Sequence, residues 1–357
     1  MRRALVLARQ GWGQTAPNPM VGAVVVADGT VIGDGFHARF GADHAEPVAL
    51  RAAGSRARGA TLYVNLEPCT HEGKTPPCAG AVIVAGVRRV VVAVRDPSLL
   101  ARGGIEKLCA AGVRVDLGVE REAALELNAP FFSAHARNRP WVTLKLAVSA
   151  DGGIADPGGA QRWITGPESR LEAHRHRANS DAIAVGIGTV LADDPHLTVR
   201  DGTLPRVLPR RVVFDRTLRT PMRSHLVRTA REVDTTIIGG ADVARLDRSF
   251  MLESAGVHVV RAQSLSEGLV LLRDAGVRSL YVEGGARLAG SLLREKLVDR
   301  LIIFRSPVVL GPHALQAFTF APSVESALAD YRVVDRRTFG ADVMTIYALE
   351  DVPCSPD

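Results

Sequence analysis

The chain lacks most of what would anchor or cross-link it. Four cysteines among 357 residues are too few for the disulfide framework of a small secreted domain. No apolar run approaches the roughly 18 residues of a membrane span. The basic start Met1-Arg2-Arg3 leads into an apolar stretch that breaks at Arg9 and Gln10, too soon for a secretory signal. No low-complexity tract interrupts a composition that is 46% hydrophobic and 23% charged, which argues against disorder. A lysine/arginine block is also missing. Lys+Arg 44 against Asp+Glu 38 gives a net charge of +6 carried by scattered arginines, a pattern that suits phosphorylated small molecules better than nucleic acid. The expectation is a folded cytoplasmic protein, homo-oligomeric, with no membrane or nucleic-acid partner.

What is present is an alternation of strand and helix patterns in a chain long enough for two domains. Residues 2–13 have helical apolar spacing, and Pro17-Asn18-Pro19 then forces a loop. Apolar runs at 21–26 and 31–36 are joined by the turn pair Asp28-Gly29 and read as a hairpin. A helix from His44 to about Ala53, a helix from Cys78 and one near 104–111 separate strands at 61–65, 90–93 and 113–117. Around 134–140 the sequence loses periodicity, which places a domain boundary between residues 138 and 139. Strands follow at 141–148, 182–185, 212–214, 235–238, 257–260, 280–282 and 301–304, and a last antiparallel pair lies near Val333 and Val343. The second half is therefore the larger α/β domain.

The sharpest chemical signal is His44-Ala45-Glu46 at a helix start, followed by Glu67-Pro68-Cys69 at a strand end and then Pro76-Pro77-Cys78. One imidazole and two thiolates suit Zn²⁺. Three protein ligands leave a fourth position for water, as a catalytic rather than a structural site requires. Zinc makes that water acidic enough to attack an amino-bearing pyrimidine carbon. Glu46, two residues after the ligand, can move the proton without joining the metal. His-x-Glu with Pro-Cys-x-x-Cys marks zinc deaminases as a class, whereas here eight residues separate the cysteines. A loop pinned at both ends by ligands lies at the mouth of the site, and it carries His71 and Lys74, polar groups suited to an anionic substrate. Gly73-Lys74-Thr75 is not a P-loop, because Pro68 stands where that motif needs its first glycine. Two rivals are a nucleic-acid base deaminase, which the absence of a basic stripe disfavours, and a closed structural zinc site with His71 as fourth ligand. A structural site has no need of Glu46.

These residues, with Pro17-Asn18-Pro19-x-Val21-Gly22 and the run from Leu66 through Thr70-His71 and Gly73-Lys74-Thr75 to Cys78, resemble the deaminase half of the bifunctional deaminase/reductases of riboflavin biosynthesis. The resemblance implies a cytidine-deaminase-like three-layer α/β/α domain and a substrate pocket lined by Asn18, His37, His71 and Lys74.

In the second half, Tyr281-Val282-Glu283-Gly284-Gly285-Ala286-Arg287-Leu288-Ala289-Gly290 reads as a strand, a glycine-rich turn and a helix aimed at a phosphate, without Rossmann spacing. It stands beside Leu144-Lys145-Leu146-Ala147, Trp163-Ile164-Thr165, the segment Gly188 to Arg200 and Arg211-Val212-Val213-x-Asp215. Together these are similar to the dihydrofolate-reductase-like α/β half of the same family, so the resemblance runs from about residue 2 to about residue 348. It implies NADPH as hydride donor and the ribosyl group of a phosphorylated aminopyrimidine as acceptor. It assigns the cofactor to Ala147, Trp163, Thr189, Asp193, Gly285, Ala286, Arg287, Leu288, Ala289, Gly290 and Ser291. Gln161, Arg177, Leu197, Arg200 and Glu283 would meet substrate. Ala150 and Gln161 depart from the family pattern, which has leucine and serine there. Two points stay open in the residues themselves: whether Asp193 or Glu283 supplies the proton, and whether NADPH or NADH is preferred, with Arg216 beside Asp215 as a pointer to a 2′-phosphate.

Overall fold

The computed structural model describes residues 1–349 other than 74, 157, 159, 160, 162, 242–245 and 319–323. It divides into two compact units, Met1–Arg137 and Asn138 onward.

In the first unit, β1 (Gly22–Ala27), β2 (Thr30–Phe36), β3 (Thr61–Val64), β4 (Arg89–Val92) and β5 (Arg114–Leu117) form one sheet in the order β2-β1-β3-β4-β5. β1 runs antiparallel to both neighbours, and β3, β4 and β5 are parallel. The β1–β2 turn has Asp28 at φ 49 and Gly29 at φ 73, two left-handed residues in a row, as the tightest hairpin turns require. Ala23, Val25, Leu62, Val64, Val90 and Val92 face the helices Ala45–Ala53, Cys78–Val84 and Gly104–Ala110. On the opposite face lie Arg2–Ala8, Arg121–Leu127 and Ala129–Ala136, packed through Leu5, Ala8, Leu125 and Phe132. The three-layer α/β/α arrangement expected for this half is therefore present. Two local expectations shift. The first helix gives way at Arg9–Gly11 to a tighter turn of helix, and Ala129–Ala136 carries helix into residues read as aperiodic.

Two glycines of β2 seat the helix that carries the chemistry. A Cβ on Gly33 would stand 2.4 Å from Ala49 O, and one on Gly35 would stand 2.6 Å from Val48 Cγ1. Only bare backbone lets Ala45–Ala53 lie so close to the sheet.

The second unit holds β6 (Trp141–Val148), β7 (Gly153–Ala155), β8 (Ala182–Gly186), β9 (Arg210–Phe214), β10 (Thr235–Gly240), β11 (His258–Ala262), β12 (Ser279–Glu283), β13 (Arg300–Arg305), β14 (Leu315–Gln316), β15 (Tyr331–Phe339) and β16 (Asp342–Leu349). Nine of these form a sheet in the order β11-β10-β9-β8-β12-β6-β13-β16-β15. It is parallel from β11 to β13, and β16 and β15 close it antiparallel. The short β7–β14 ribbon was not legible in the sequence. Strands buried on both faces read as continuous apolar runs, as in Ala182–Gly186 and Ser279–Glu283. Among the described residues no helix is long and apolar enough to cross a membrane.

Candidate active sites

His44 is the residue before the first turn of Ala45–Ala53, with extended backbone and no capping hydrogen bond from its side chain. Its ring is thus free for another task. Nδ1 lies 3.2 Å from Cys78 Sγ and 3.6 Å from Cys69 Sγ, and the Cys78 amide donates to Cys69 Sγ at 3.4 Å. The three donor atoms fall within 4.8 Å of one another. A tetrahedral zinc with bonds of about 2.0–2.3 Å sets its N and S ligands about 3.6 Å apart, so the donor set and its spacing both fit zinc. The two thiols are buried against each other, and their mutual hydrogen bond drives them apart in acidity while burial raises both. Hydrogen bonding to Cys78 and His44 lowers Cys69, while Cys78 rises. A bound cation relieves that competition by taking both as thiolates.

Glu46 projects into the same space. It is 3% exposed. Burial first, and the charge of Cys69 second, push its carboxyl up to about 7, the range suited to a group that must take up and release a proton. The mouth in front of His44 is a cavity of about 210 Å³ lined by Asn18, Phe40, Gly41, Ala42, His71, Gly73 and Thr75. Asn18 and His71 are therefore brought to the metal triad. Lys74 lies outside the described residues.

His37 is placed differently from the expectation. It is buried and does not line the cavity. Its Nδ1 is 3.0 Å from Asp43 O, which can only accept, so Nδ1 donates and Nε2 accepts from Asn18 Nδ2 at 3.2 Å. Burial lowers its pKa and keeps the ring neutral. His37 thus orients Asn18 and leaves the Asn18 carbonyl oxygen available.

Four further residues hold this frame, and two of them, Asn65 and Asn128, lie outside every motif quoted above. The amides of Asn65 and Asn128 grip the Met20 backbone and the Gly22 N–H at 2.8–3.0 Å, which fixes the loop bearing Asn18. Glu67, 2% exposed, accepts from the amides of Asp96, Gly103 and Ile105, each at 3.0 Å. Thr70 binds the same segment through Ala101 O and Arg102 O. A Cβ on Gly104 would fall 1.8 Å from Pro68 O, so that segment abuts the strand end leading to Cys69.

In the second unit a cleft of about 1400 Å³ opens over the strand ends. Ala147, Thr189, Asp193, Glu283, Gly285, Ala286, Arg287, Leu288 and Ser291 line it. Gly285 is the residue before the helix Ala286–Arg294, with Thr189 Oγ1 3.8 Å from where its Cβ would be. The glycine-rich turn and Thr189 therefore share one wall, and the helix start faces the cleft as a phosphate site needs. Ala289 and Gly290 are buried in the helix and do not reach the cleft.

The substrate-side expectations divide. Arg177 grips Glu283 with two hydrogen bonds, 2.7 and 2.6 Å, and donates to Thr198 O at 2.8 Å. Burial alone would raise the Glu283 carboxyl, but Arg177 and Lys145 hold it at about 2. It is ionised at neutral pH and is no proton donor. Leu197, at φ 51, packs its side chain into the core beside Val185 and Leu226, so that side chain does not line the cleft. Arg200 is exposed, with its amide bound to His174 Nδ1 at 3.2 Å. Gln161 and Trp163 stand on an exposed loop, tied by Gln161 Nε2 to Trp163 O at 2.6 Å, with the Arg170 guanidinium 4.9 Å from the indole. Neither lines the cleft. Lys145 does. It pairs in register with Glu283 across β6 and β12, and burial lowers its pKa. Its one cue in the sequence is a lysine inside an apolar strand, a residue type seldom buried unpaired.

Comparison with known proteins agrees with both halves. Residues 1–94 match the family model of the cytidine and deoxycytidylate deaminase zinc-binding region, and residues 140–345 match the RibD C-terminal domain. The chain is 44% identical over 314 residues to riboflavin biosynthesis protein RibD of Aquifex aeolicus, covering 87% of each. Against the Escherichia coli protein of that name it is 38% identical over 373 residues, covering 96% of each. Among solved structures it is similar to Acinetobacter baumannii RibD (TM-score 0.82, 36% identity, 98% of this chain and 97% of that one). A Thermotoga maritima diaminohydroxyphosphoribosylaminopyrimidine deaminase/5-amino-6-(5-phosphoribosylamino)uracil reductase matches with TM-score 0.80 and 34% identity over the same shares. With a His/Cys/Cys triad and its buried glutamate in one unit, a glycine-rich turn on the wall of a large cleft in the other, and relatives that match over most of the chain, the chain belongs to the RibD family, the bifunctional deaminase/reductases of riboflavin biosynthesis.

Proposed function

We propose that residues 1–138 deaminate 2,5-diamino-6-(5-phosphoribosylamino)pyrimidin-4-one and that residues 139–357 reduce the ribosyl chain of the product to ribityl with NADPH. The carrying observation is the meeting of His44, Cys69 and Cys78 with a buried Glu46 at a cavity shared with Asn18 and His71. His44, Cys69 and Cys78 would hold zinc, which would supply the Lewis acidity that makes a water acidic near neutral pH. Glu46 takes a proton from the attacking water and passes it to the departing nitrogen. Water enters, ammonia leaves, and the amino-bearing carbon becomes a carbonyl. Asn18, oriented by His37, offers its carbonyl oxygen to an amino group of the pyrimidine, and His71 meets the polar remainder of the ligand.

In the second unit the cofactor supplies the hydride. The turn at Gly285 and Ala286, beside Thr189, would hold its phosphates. The acceptor carbon of the opened sugar needs a proton on its oxygen or nitrogen partner. Because Glu283 is locked as an anion by Arg177, its part is to position Arg177 and Lys145. The Lys145 ammonium, half-buried on the cleft wall, is the better donor.

The test measures zinc, ammonia release and NADPH oxidation on one purified preparation with the diaminopyrimidine substrate. About one zinc per chain, ammonia formed first and stoichiometric NADPH oxidation afterwards are expected. Ammonia release without later NADPH oxidation would sink the reductase half.

A further inference from the structure

His174 and Arg177 stand three residues apart on the helix Pro167–Ala178 and so share a face. Both reach the stretch of chain that leaves the cleft after Asp193. Residues 194–200 belong to no helix or strand, so their backbone groups need partners elsewhere. Thr198 O accepts from Arg177 Nη1 at 2.8 Å, and the Arg200 N–H donates to His174 Nδ1 at 3.2 Å. Leu197 and Val199 bury their side chains. The stretch is thus anchored by side chain at 197 and 199 and by backbone at 198 and 200. Arg200, at its end, is turned outward, and its guanidinium makes no ion pair among the described residues.

The His174 ring is buried, and its partners fix its tautomer. An atom that accepts from an amide carries no proton, so the proton sits on Nε2, which lies 3.4 Å from Asp201 Oδ2. The charged groups that face it are Arg177 on its own helix, Arg200 and Asp201 on the anchored stretch, and Glu283 on β12. Burial first, and the Arg177 charge second, lower its pKa and keep the ring neutral at pH 7. A protonated ring would set an N–H against the Arg200 N–H and lose the bond. The same helix face carries the Arg177–Glu283 pair, and Glu283 lines the cleft. One helix therefore ties the backbone of Arg200 to the cleft wall.

From this geometry we infer that His174 is a positioning residue of the reductase: by accepting from the Arg200 amide it holds the Arg200 guanidinium where the anionic, phosphorylated end of the substrate meets it. The inference rests on the reading of Arg200 as a substrate contact and adds the residue that places it. Loss of one such hydrogen bond corresponds to about a two- to tenfold change in substrate use.

The test follows NADPH oxidation by the full chain on already deaminated substrate, with NADPH affinity as the check on the fold. His174→Phe keeps a ring but removes the acceptor, and His174→Asn keeps an acceptor near Nδ1 without a titrating group. Above neutral pH, the Phe variant is expected to raise KM for the deaminated substrate by about two- to tenfold, with kcat and NADPH affinity unchanged, and the Asn variant to return KM close to wild type. As pH falls below about 6.5, the wild-type KM should rise relative to that of the Asn variant, because only the imidazole gains a proton. In an Arg200→Ala background His174→Phe should add nothing, since no guanidinium is left to place. Full additivity of the two changes, an Arg200→Ala chain with unchanged KM, or a His174→Phe chain with unchanged KM would each overturn the positioning role and leave the reductase reading standing. If the Phe variant loses NADPH, the pH comparison of wild type with His174→Asn decides alone, and parallel KM profiles overturn the role. A wild-type chain that binds NADPH but never oxidises it with deaminated substrate would overturn both.

Discussion

Arg177 and Glu283 meet as a two-point ion pair, with Nε to Oε1 at 2.7 Å and Nη2 to Oε2 at 2.6 Å, and their side chains are only 14% and 16% exposed. The pair is sequestered enough for its loss to be felt in stability as well as in substrate use.

Replacing Glu283 with Gln should therefore destabilise the second unit in a pH-dependent way. The carboxyl is held at about 2 against an ordinary 4.5. A depressed folded-state pKa contributes stability that is complete above about 4.5 and is lost as pH falls toward 2. The contribution at pH 7 is about 3 kcal/mol. Urea unfolding of wild type and Glu283→Gln between pH 7 and 3 should show a gap that narrows with acid. A gap that stays constant would mean that Glu283 is not held ionised by its partners.

Cys78→Ser should lose metal and ammonia release together, because Cys78 is wholly buried beside His44 Nδ1 and Cys69 and the set has no spare thiolate among the described residues. Metal analysis decides the matter, and a variant with full zinc would break the ligand assignment.

Glu46→Gln should keep its zinc. The amide preserves shape but cannot shuttle a proton, so ammonia release should fall by about 10² to 10⁴. NADPH oxidation on substrate that is already deaminated should be spared. Deamination near the wild-type rate would remove Glu46 from the proton path.

A fragment beginning near Arg139 should fold and bind NADPH without metal, since the described chain divides there into units with separate cores. Arg139 itself is best retained, because it is bonded at 2.6 and 2.8 Å to Asp299, which is wholly buried. Cofactor titration of the fragment provides the measurement. A soluble, folded fragment that binds nothing would show that the second unit depends on the first.

The parts legible in the sequence were those whose signal is local. The metal triad could be read because His-x-Glu and the two Pro-Cys pairs each announce themselves within three residues. Trp141–Val148 and the turn at Gly284-Gly285 were readable for the same reason. The parts that were missed depend on contacts between distant residues. His37 looks like a pocket residue until Asp43 O and Asn18 claim both of its ring nitrogens. Leu197 follows a motif that points to substrate, yet a left-handed backbone turns its side chain into the core. Lys145 alternates with apolar neighbours, and only the pairing of β6 with β12 sets it opposite Glu283. Nothing near Asn65 or Asn128 in the sequence indicates that both would hold Met20.

The clamp at Glu67 bears on how the metal centre is assembled as the polypeptide is made. The three donors proposed for zinc, His44, Cys69 and Cys78, lie within the first 78 residues, and the matched deaminase region ends at residue 94. The amides that Glu67 needs belong to Asp96, Gly103 and Ile105. A nascent chain that has just exposed Cys78 thus owns every ligand but lacks the partners that settle the buried carboxylate two residues before Cys69. The expected outcome is that a product truncated near residue 95 fails to retain zinc although its metal motif is complete, and metal analysis of that fragment checks it.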